Sequence, residues 1–274
     1  DNYLNTVPRR VGNRVVGGIN ENHGRELLEL HTVGVDAGYT QADVVEASRC
    51  LTGHGIDNVT TSGAYQYRAA NHDNEGKQVF GLSVPAGGGA GDAERLFDHL
   101  ASHPATARHL SRRLCQRFVA DDPPAGLVER LAGVYLATGG DLREVVKALF
   151  GSAELWAEAF GAGKPQTPLE YVASVLRGAG AEVAQPRAVK AALQDMGMPL
   201  YACNPPTGYS NRGDEWLNPS SQLYRMNFAL DLAAGAVAGV SADVASLVRA
   251  GGGSPDDARS AGQAIDEVVF GRTL

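Results

Sequence analysis

The chain has little of what announces a function by composition. Its three cysteines, Cys50, Cys115 and Cys203, are odd in number and far apart, so they outline neither a disulfide framework nor a CxxC metal site, and buried thiols are the default. No apolar run reaches the roughly 18 residues that span a bilayer, and the opening DNYLNTVPRRVGN lacks the apolar stretch of a signal peptide. That opening, in mid-loop and without an initiating Met, reads as a piece of a longer precursor. Basic residues are outnumbered, 24 Lys and Arg against 31 Asp and Glu. With the basic cluster Arg9, Arg10 and Arg14 set against a formal charge of -7, a nucleic-acid partner is excluded, since phosphate binding needs a dense basic patch. GxSxG and HExxH are missing, and the glycine run PAGGGAG (Pro85 to Gly91) has neither the GxGxxG nor the GxxxxGK spacing of a phosphate cradle.

What is present is a globular composition, 43% hydrophobic and 20% charged over 274 residues, with helical punctuation. Residues 1–19 read as extended, 20–250 as an irregular multi-helix domain with a small β-hairpin insertion near 60–84, and 251–274 as a flexible linker and terminal helix, a mainly α fold. Asn20 caps a first helix to about Thr32, and Thr40 to Asp43 forms a capping box for a second, which packs on the first as a hairpin. Ala64 to Arg68 and Lys77 to Ser83 alternate as strands around a polar tip, Asn71 to Gly76. Pro-initiated and Gly-terminated helices follow from Ala93 to Ala250, and a last short one is expected over Gly262 to Phe270. The long polar loop Tyr201 to Asn218 breaks the rhythm; loops of this length in a compact domain are functional or mobile.

The stretch Asn20 to Tyr39, NENHGRELLELHTVGVDAGY, is densest in chemically capable side chains. On a regular helix Asn22, Arg25, Glu26 and Glu29 share an arc with Glu21, while His31 lies one turn from Leu27 on the apolar side. The i, i+4 spacing of Glu21, Arg25 and Glu29 fits a solvated salt-bridged face; the same arc also fits the wall of a polar site. A metal needs converging His and carboxylate ligands. Glu26 and Glu29 can meet at i, i+3, Glu29 and His31 are about 200° apart on a regular helix, and His72 with Asp73 would have to complete the set. Cys50 with His54 as a thiol and base, and His99, His103 and His109 as a cluster, read more readily as accidents of spacing. Asn218 before Pro219 reads as an N-cap, with Trp216 as its hydrophobic staple or as part of a cleft wall.

Those same residues carry a resemblance. Asn20-Glu-Asn, RELLELHT-GV and GYTQADV, LTG at Leu51 to Gly53, His72-Asp73 with Gly76-Lys77 and Gly81, and later NPPT-G with Trp216 and RMNFA resemble the bacterial family called domain of unknown function 1800. The resemblance implies an all-α assembly with a small β insertion and an exported or periplasmic bacterial protein. It also implies members about twice this length, so that this chain is a C-terminal portion and a second chain supplies the missing N-terminal half. His23 and His54 depart from the family pattern and add imidazole beside the opening stretch. The resemblance also implies that the arc of Asn22, Arg25, Glu26 and Glu29 is a buried polar wall rather than a solvated face, with His31 bracing it from the core side.

The leading expectation is a metal-dependent enzyme, oxidoreductase rather than hydrolase, using a transition metal such as Fe, Cu, Mn or Zn. Glu26, Glu29, His31 and His72 are its candidate ligands, Arg25, Glu29, His31 and Asp73 its candidate catalytic groups, and Asn22 and Trp216 its candidate cofactor contacts. The alternative is a non-catalytic helical binding or assembly protein whose Tyr201 to Asn218 loop meets a partner.

Overall fold

The computed structural model describes residues 9–11, 14–16, 18–58, 60–160, 163–205 and 207–265. The chain divides into two compact units, Asp1–Ala162 and Gly163–Leu274. Mainly α architecture is what forms: twelve α-helices and four two-stranded antiparallel sheets among the described residues. Of the segment expected to be extended, β1 (Arg9–Val11) pairs with β2 (Arg14–Val16); the remainder before Gly18, and the side chains of the Arg9, Arg10 and Arg14 cluster, lie outside the described residues.

In the first unit the Asn20 carboxamide accepts the backbone N–H of Asn22 at 3.0 Å and opens α1 (Glu21–Glu26). The segment does not continue as a regular helix to Thr32. Leu27–His31 is π-helical, an i→i+5 pattern that adds about one residue to the turn. Thr40 caps α2 (Gln41–Cys50) through a complete capping box with Asp43. The two helices cross at Gly24, where a Cβ would collide with the Ser48 hydroxyl and lie 2.9 Å from the Val44 carbonyl. That contact accounts for a glycine inside a helix at a propensity cost of about 1 kcal/mol. Leu27, Leu28, Val33, Val44, Ala47, Cys50 and Leu51 fill the core between them.

Of the two expected strands the first forms, but Lys77 to Ser83 is split in two by a turn, and the two runs do not pair with each other. β4 (Tyr65–Tyr67) pairs with β3 (His54–Ile56), and β5 (Lys77–Val79) pairs with β6 (Leu82–Val84). The reason is local: Phe80 and Gly81 both take positive φ, 45° and 86°, the two-residue turn whose twist suits a tight hairpin. It closes β5 on β6 before the chain could return to β4. After the glycine run come α3 (Gly91–Ala101), α4 (Pro104–Phe118), α5 (Ala125–Ala137), α6 (Leu142–Phe150) and α7 (Ala153–Phe160). Small residues of α4, Ala107, Ser111 and Cys115, are buried at four-residue spacing; Ala107 and Cys115 share a second core with Leu127, Leu131 and Tyr135 of α5.

The second unit holds α8 (Pro168–Gly178), α9 (Arg187–Asp195), α10 (Pro219–Ala233), α11 (Val244–Ala250) and α12 (Ala258–Ile265), with a short ladder between β7 (Glu182–Val183) and β8 (Val240–Ser241). Val172, Leu193, Met196, Phe228, Leu232, Val237 and Val240 form its core. α10 stops at Ala233 rather than Ala238 because Gly235 turns the chain at φ 68°. The final helix begins four residues before its expected start, at Ala258, and the rest of that expectation, residues 266–270, lies outside the described residues.

Candidate functional site

The arc on α1 forms as a surface network, not as the buried polar wall that the resemblance implied. Arg25 pairs with Glu21 at 3.4 Å and with Glu29 at 3.6 Å, and donates to the Gln41 side-chain carbonyl at 2.8 Å. Gln41 in turn donates to Glu21 at 2.5 Å, tying the start of α2 to that of α1. Glu29 accepts from the Tyr39 hydroxyl; burial first, and the Glu29 charge second, push the Tyr39 phenol up to about 12. Asn22 is exposed and Glu26 half-buried. His31 is exposed, not braced against the core. The cause is the π turn, whose wider step carries position 31 off the Leu27–Leu28 face that a regular helix would have shared with it.

His72 and Asp73 belong to a different and drier place. The Thr52 hydroxyl donates to the Arg49 carbonyl at 2.7 Å and accepts the Asp73 backbone N–H at 2.8 Å, clamping the turn after α2 to the loop before β5. Asp73 receives two hydrogen bonds from Arg49, at 2.8 and 3.2 Å, while the other arm of the same guanidinium holds Glu46 at 2.7 and 2.8 Å. The Arg49 bonds hold the Asp73 carboxyl below its usual range. His72 is buried. Its Nδ1 donates to the Thr52 carbonyl at 2.8 Å, and its Nε2 lies 3.2 Å from the Asp92 carboxylate.

Asp92 is the centre of this cluster. Its side chain and that of Lys77 are fully buried and 2.8 Å apart, and Arg95 reaches the second carboxylate oxygen at 3.3 Å. The remaining ammonium protons of Lys77 go to the carbonyls of Asp73 and Glu75, at 2.6 and 2.8 Å, so the lysine has no donor to spare. The glycine run has its role here. A Cβ on Gly88 would collide with the Asp92 carboxylate and stand 2.6 Å from Arg95, so the loop closes over the ion cluster only because it carries no side chain there. Beside it, His54 stacks near Tyr67, 5.0 Å between centroids, and Tyr67 near His72 at 5.8 Å. Burial first, then His72, lowers the His54 pKa, and His23 adds to the shift. Of the two departures from the family pattern, His54 thus lies beside this cluster. Burial pushes the Cys50 thiol up to about 12, which leaves it protonated and unsuited to nucleophilic work.

The expected metal set is thus not gathered at one point. Glu29 is engaged with Arg25 and Tyr39, His31 faces solvent, and His72 serves Thr52 and Asp92. No group of three or more His, Cys, Asp or Glu among the described residues could hold a metal ion. The His99, His103 and His109 cluster resolves into separate structural tasks. His99 meets the Phe80 carbonyl at 3.0 Å, His103 caps α4, and His109 bonds the backbone of Leu30.

Trp216 lies in the second unit, where the Tyr201 to Asn218 loop folds into an open cleft of about 480 Å³. Tyr209 and Trp216 meet edge to face, centroids 6.0 Å apart. Their polar tips are spent internally, Trp216 Nε1 on the Ser210 carbonyl at 3.1 Å and the Tyr209 hydroxyl on the Pro199 carbonyl at 2.6 Å. Asn218 does cap α10, accepting from Ser221 N–H at 2.8 Å. α10 is apolar on two sides. It buries Phe228 and Leu232 in the core together with Ser221 and Arg225, the latter stacked over Tyr171 at 5.1 Å and donating to the Gln166 carbonyl at 2.8 Å. It exposes Leu223, Met226 and Leu230, at 57%, 62% and 66%.

Sequence reasoning missed Asp92, Arg49 and Thr52 as members of the buried cluster. Lys77 had one usable signal, since it shares strand parity with the core residue Val79. Asp92 had a weaker one, an acid at a helix start directly after glycines.

A family model described as protein of unknown function (DUF1800) matches residues 1–273. Since that match covers essentially every residue, the expectation that this is only a C-terminal portion, completed by a second chain carrying an absent half, is not borne out. No curated protein and no solved structure matches the chain. Among the described residues no helix is long and apolar enough to cross a membrane.

Proposed function

Because the chain belongs to the DUF1800 family, a family of unknown function, its reading has to come from its own surfaces, and we propose that it is a non-catalytic helical binding protein. Its contact region is the Tyr201 to Asn218 loop together with α10. The observation that carries this is the exposed apolar stripe of α10. Leu223, Met226 and Leu230 fall at i, i+3 and i+7, one stripe of a helix, and that stripe faces solvent although the helix already buries Phe228 and Leu232 on its core side. Clustered exposed apolar side chains mark interaction surfaces, and an i, i+3, i+7 stripe is how helices meet partner polypeptides. The buried Asp92 cluster supports the same reading from the other direction, because its donors and acceptors are spent on one another rather than offered to a substrate.

The metal-dependent oxidoreductase draws no support from ligand geometry among the described residues. One experiment separates the two readings: native mass spectrometry and elemental analysis of chain purified gently from its source. A stoichiometric second polypeptide, released by Met226→Asp with the circular dichroism unchanged, is the expected result. A chain that carries no polypeptide but one equivalent of Fe, Cu, Mn or Zn would restore the enzyme.

A further inference from the structure

The cleft beside α10 says more about its occupant than the apolar stripe does. Three features of its lining act together. Tyr209 and Trp216 make a rigid aromatic corner, and because both polar tips are already bonded to backbone carbonyls, what they offer a ligand is ring surface. The one formal charge among the described lining residues is the Glu215 carboxylate; no Lys, Arg or His is present there. Glu215 is exposed and makes no ion pair among the described residues, whereas the nearest cations in sequence are engaged elsewhere. Arg212 pairs with Asp214 at 3.0 Å, and Arg225 donates to the Gln166 carbonyl at 2.8 Å and stacks over Tyr171. Pro199 and Pro205 supply further apolar wall.

A π face carries negative charge density, an unpaired carboxylate adds a full charge, and nothing cationic competes for either. Aromatic faces with an acidic neighbour attract organic cations, tryptophan most strongly. A volume of about 480 Å³ lies within the range of small-ligand sites. We propose that this cleft binds an organic ammonium group, with the Tyr209–Trp216 corner against its alkyl shell and Glu215 as counter-ion. The group can arrive as a free quaternary ammonium compound or as the lysine side chain of a partner peptide. The inference rests on the reading of the Tyr201 to Asn218 loop as the contact region, and it names what that region recognises.

Titration calorimetry on the full chain tests it, with choline, with its neutral isostere 3,3-dimethylbutan-1-ol, and with N-acetyl-lysine amide. Saturable binding of an ammonium probe is expected, roughly tenfold or more tighter than the neutral isostere, and weakened about tenfold by Glu215→Gln, an exposed change that leaves the fold intact. Choline tighter than the lysine amide identifies a free quaternary ammonium ligand, and the reverse identifies a peptide side chain. Equal binding of the neutral isostere, unchanged affinity in Glu215→Gln, or no ammonium binding at millimolar concentration would each overturn the proposal. None of these results touches the polypeptide partner released by Met226→Asp, so the two readings fail separately.

Discussion

Two polar networks lie on the two ends of α2, and they use the same residue types to opposite ends. At its start, Glu21, Arg25, Glu29 and Gln41 form a ladder with side chains a third exposed. At its end, Arg49, Asp73, His72, Lys77 and Asp92 form a cluster whose centre is dry. In water an ion pair of this kind contributes little, about 0 to 1 kcal/mol. In the interior, removing one partner leaves an uncompensated charge that costs several times more. Residue chemistry did not separate the two networks; burial does.

The contrast is broken most strongly at Asp92. Asp92→Ala leaves Lys77 without its carboxylate in a fully buried site, and a loss of about 3 to 5 kcal/mol in denaturant unfolding is expected. Arg49→Ala should cost about 2 kcal/mol near neutral pH, since it releases both Asp73 and Glu46. Its pH dependence carries the sign. The Arg49 bonds depress the folded pKa of Asp73 below its ordinary 3.8, so their stabilisation is present above that value and is lost as pH falls through the depressed one. The stability curves of parent and variant therefore converge at acid pH. Gly88→Ala places a methyl against the Asp92 carboxylate and should cost about 1 to 2 kcal/mol in the same unfolding measurement. At the exposed ladder the effects shrink. Glu29→Gln should change stability by no more than about 0.5 kcal/mol yet bring the Tyr39 phenol down from about 12, stopping above 10 because burial, the larger cause, remains. Spectrophotometric titration of the phenolate reads this directly.

Helix starts were legible because they rest on local chemistry: Asn20, Thr40 and Asn218 each cap the helix that follows through their own side chains. The i, i+4 spacing of Glu21, Arg25 and Glu29 pointed to the solvated face that forms, whereas the family resemblance, by favouring a buried polar wall there, pointed away from it. Strand pairing was not, because it turned on Phe80 accepting a positive φ, which no propensity favours for a phenylalanine. The ion cluster was hidden because Arg49, Thr52, His72, Lys77 and Asp92 come from four separate segments, and sequence separation carries no sign of burial. His31 was misplaced because a regular period was assumed where the chain adds a residue to the turn.

That added residue makes the length of 27–31 matter more than its composition. His109 is wedged against Gly34, whose Cβ position would lie 2.5 Å from Nδ1, and bonds the Leu30 backbone. Thr32 and the Gly34 N–H close the carbonyls of Leu27 and Leu28, at 2.6 and 2.9 Å. Substitutions that keep five residues there leave this phasing intact. Deleting a single residue would return the segment to a regular helix and swing Gly34 round by about 100°, withdrawing the seat of His109 and unlatching α4 from the opening helix. The segment is a spacer whose information is its count.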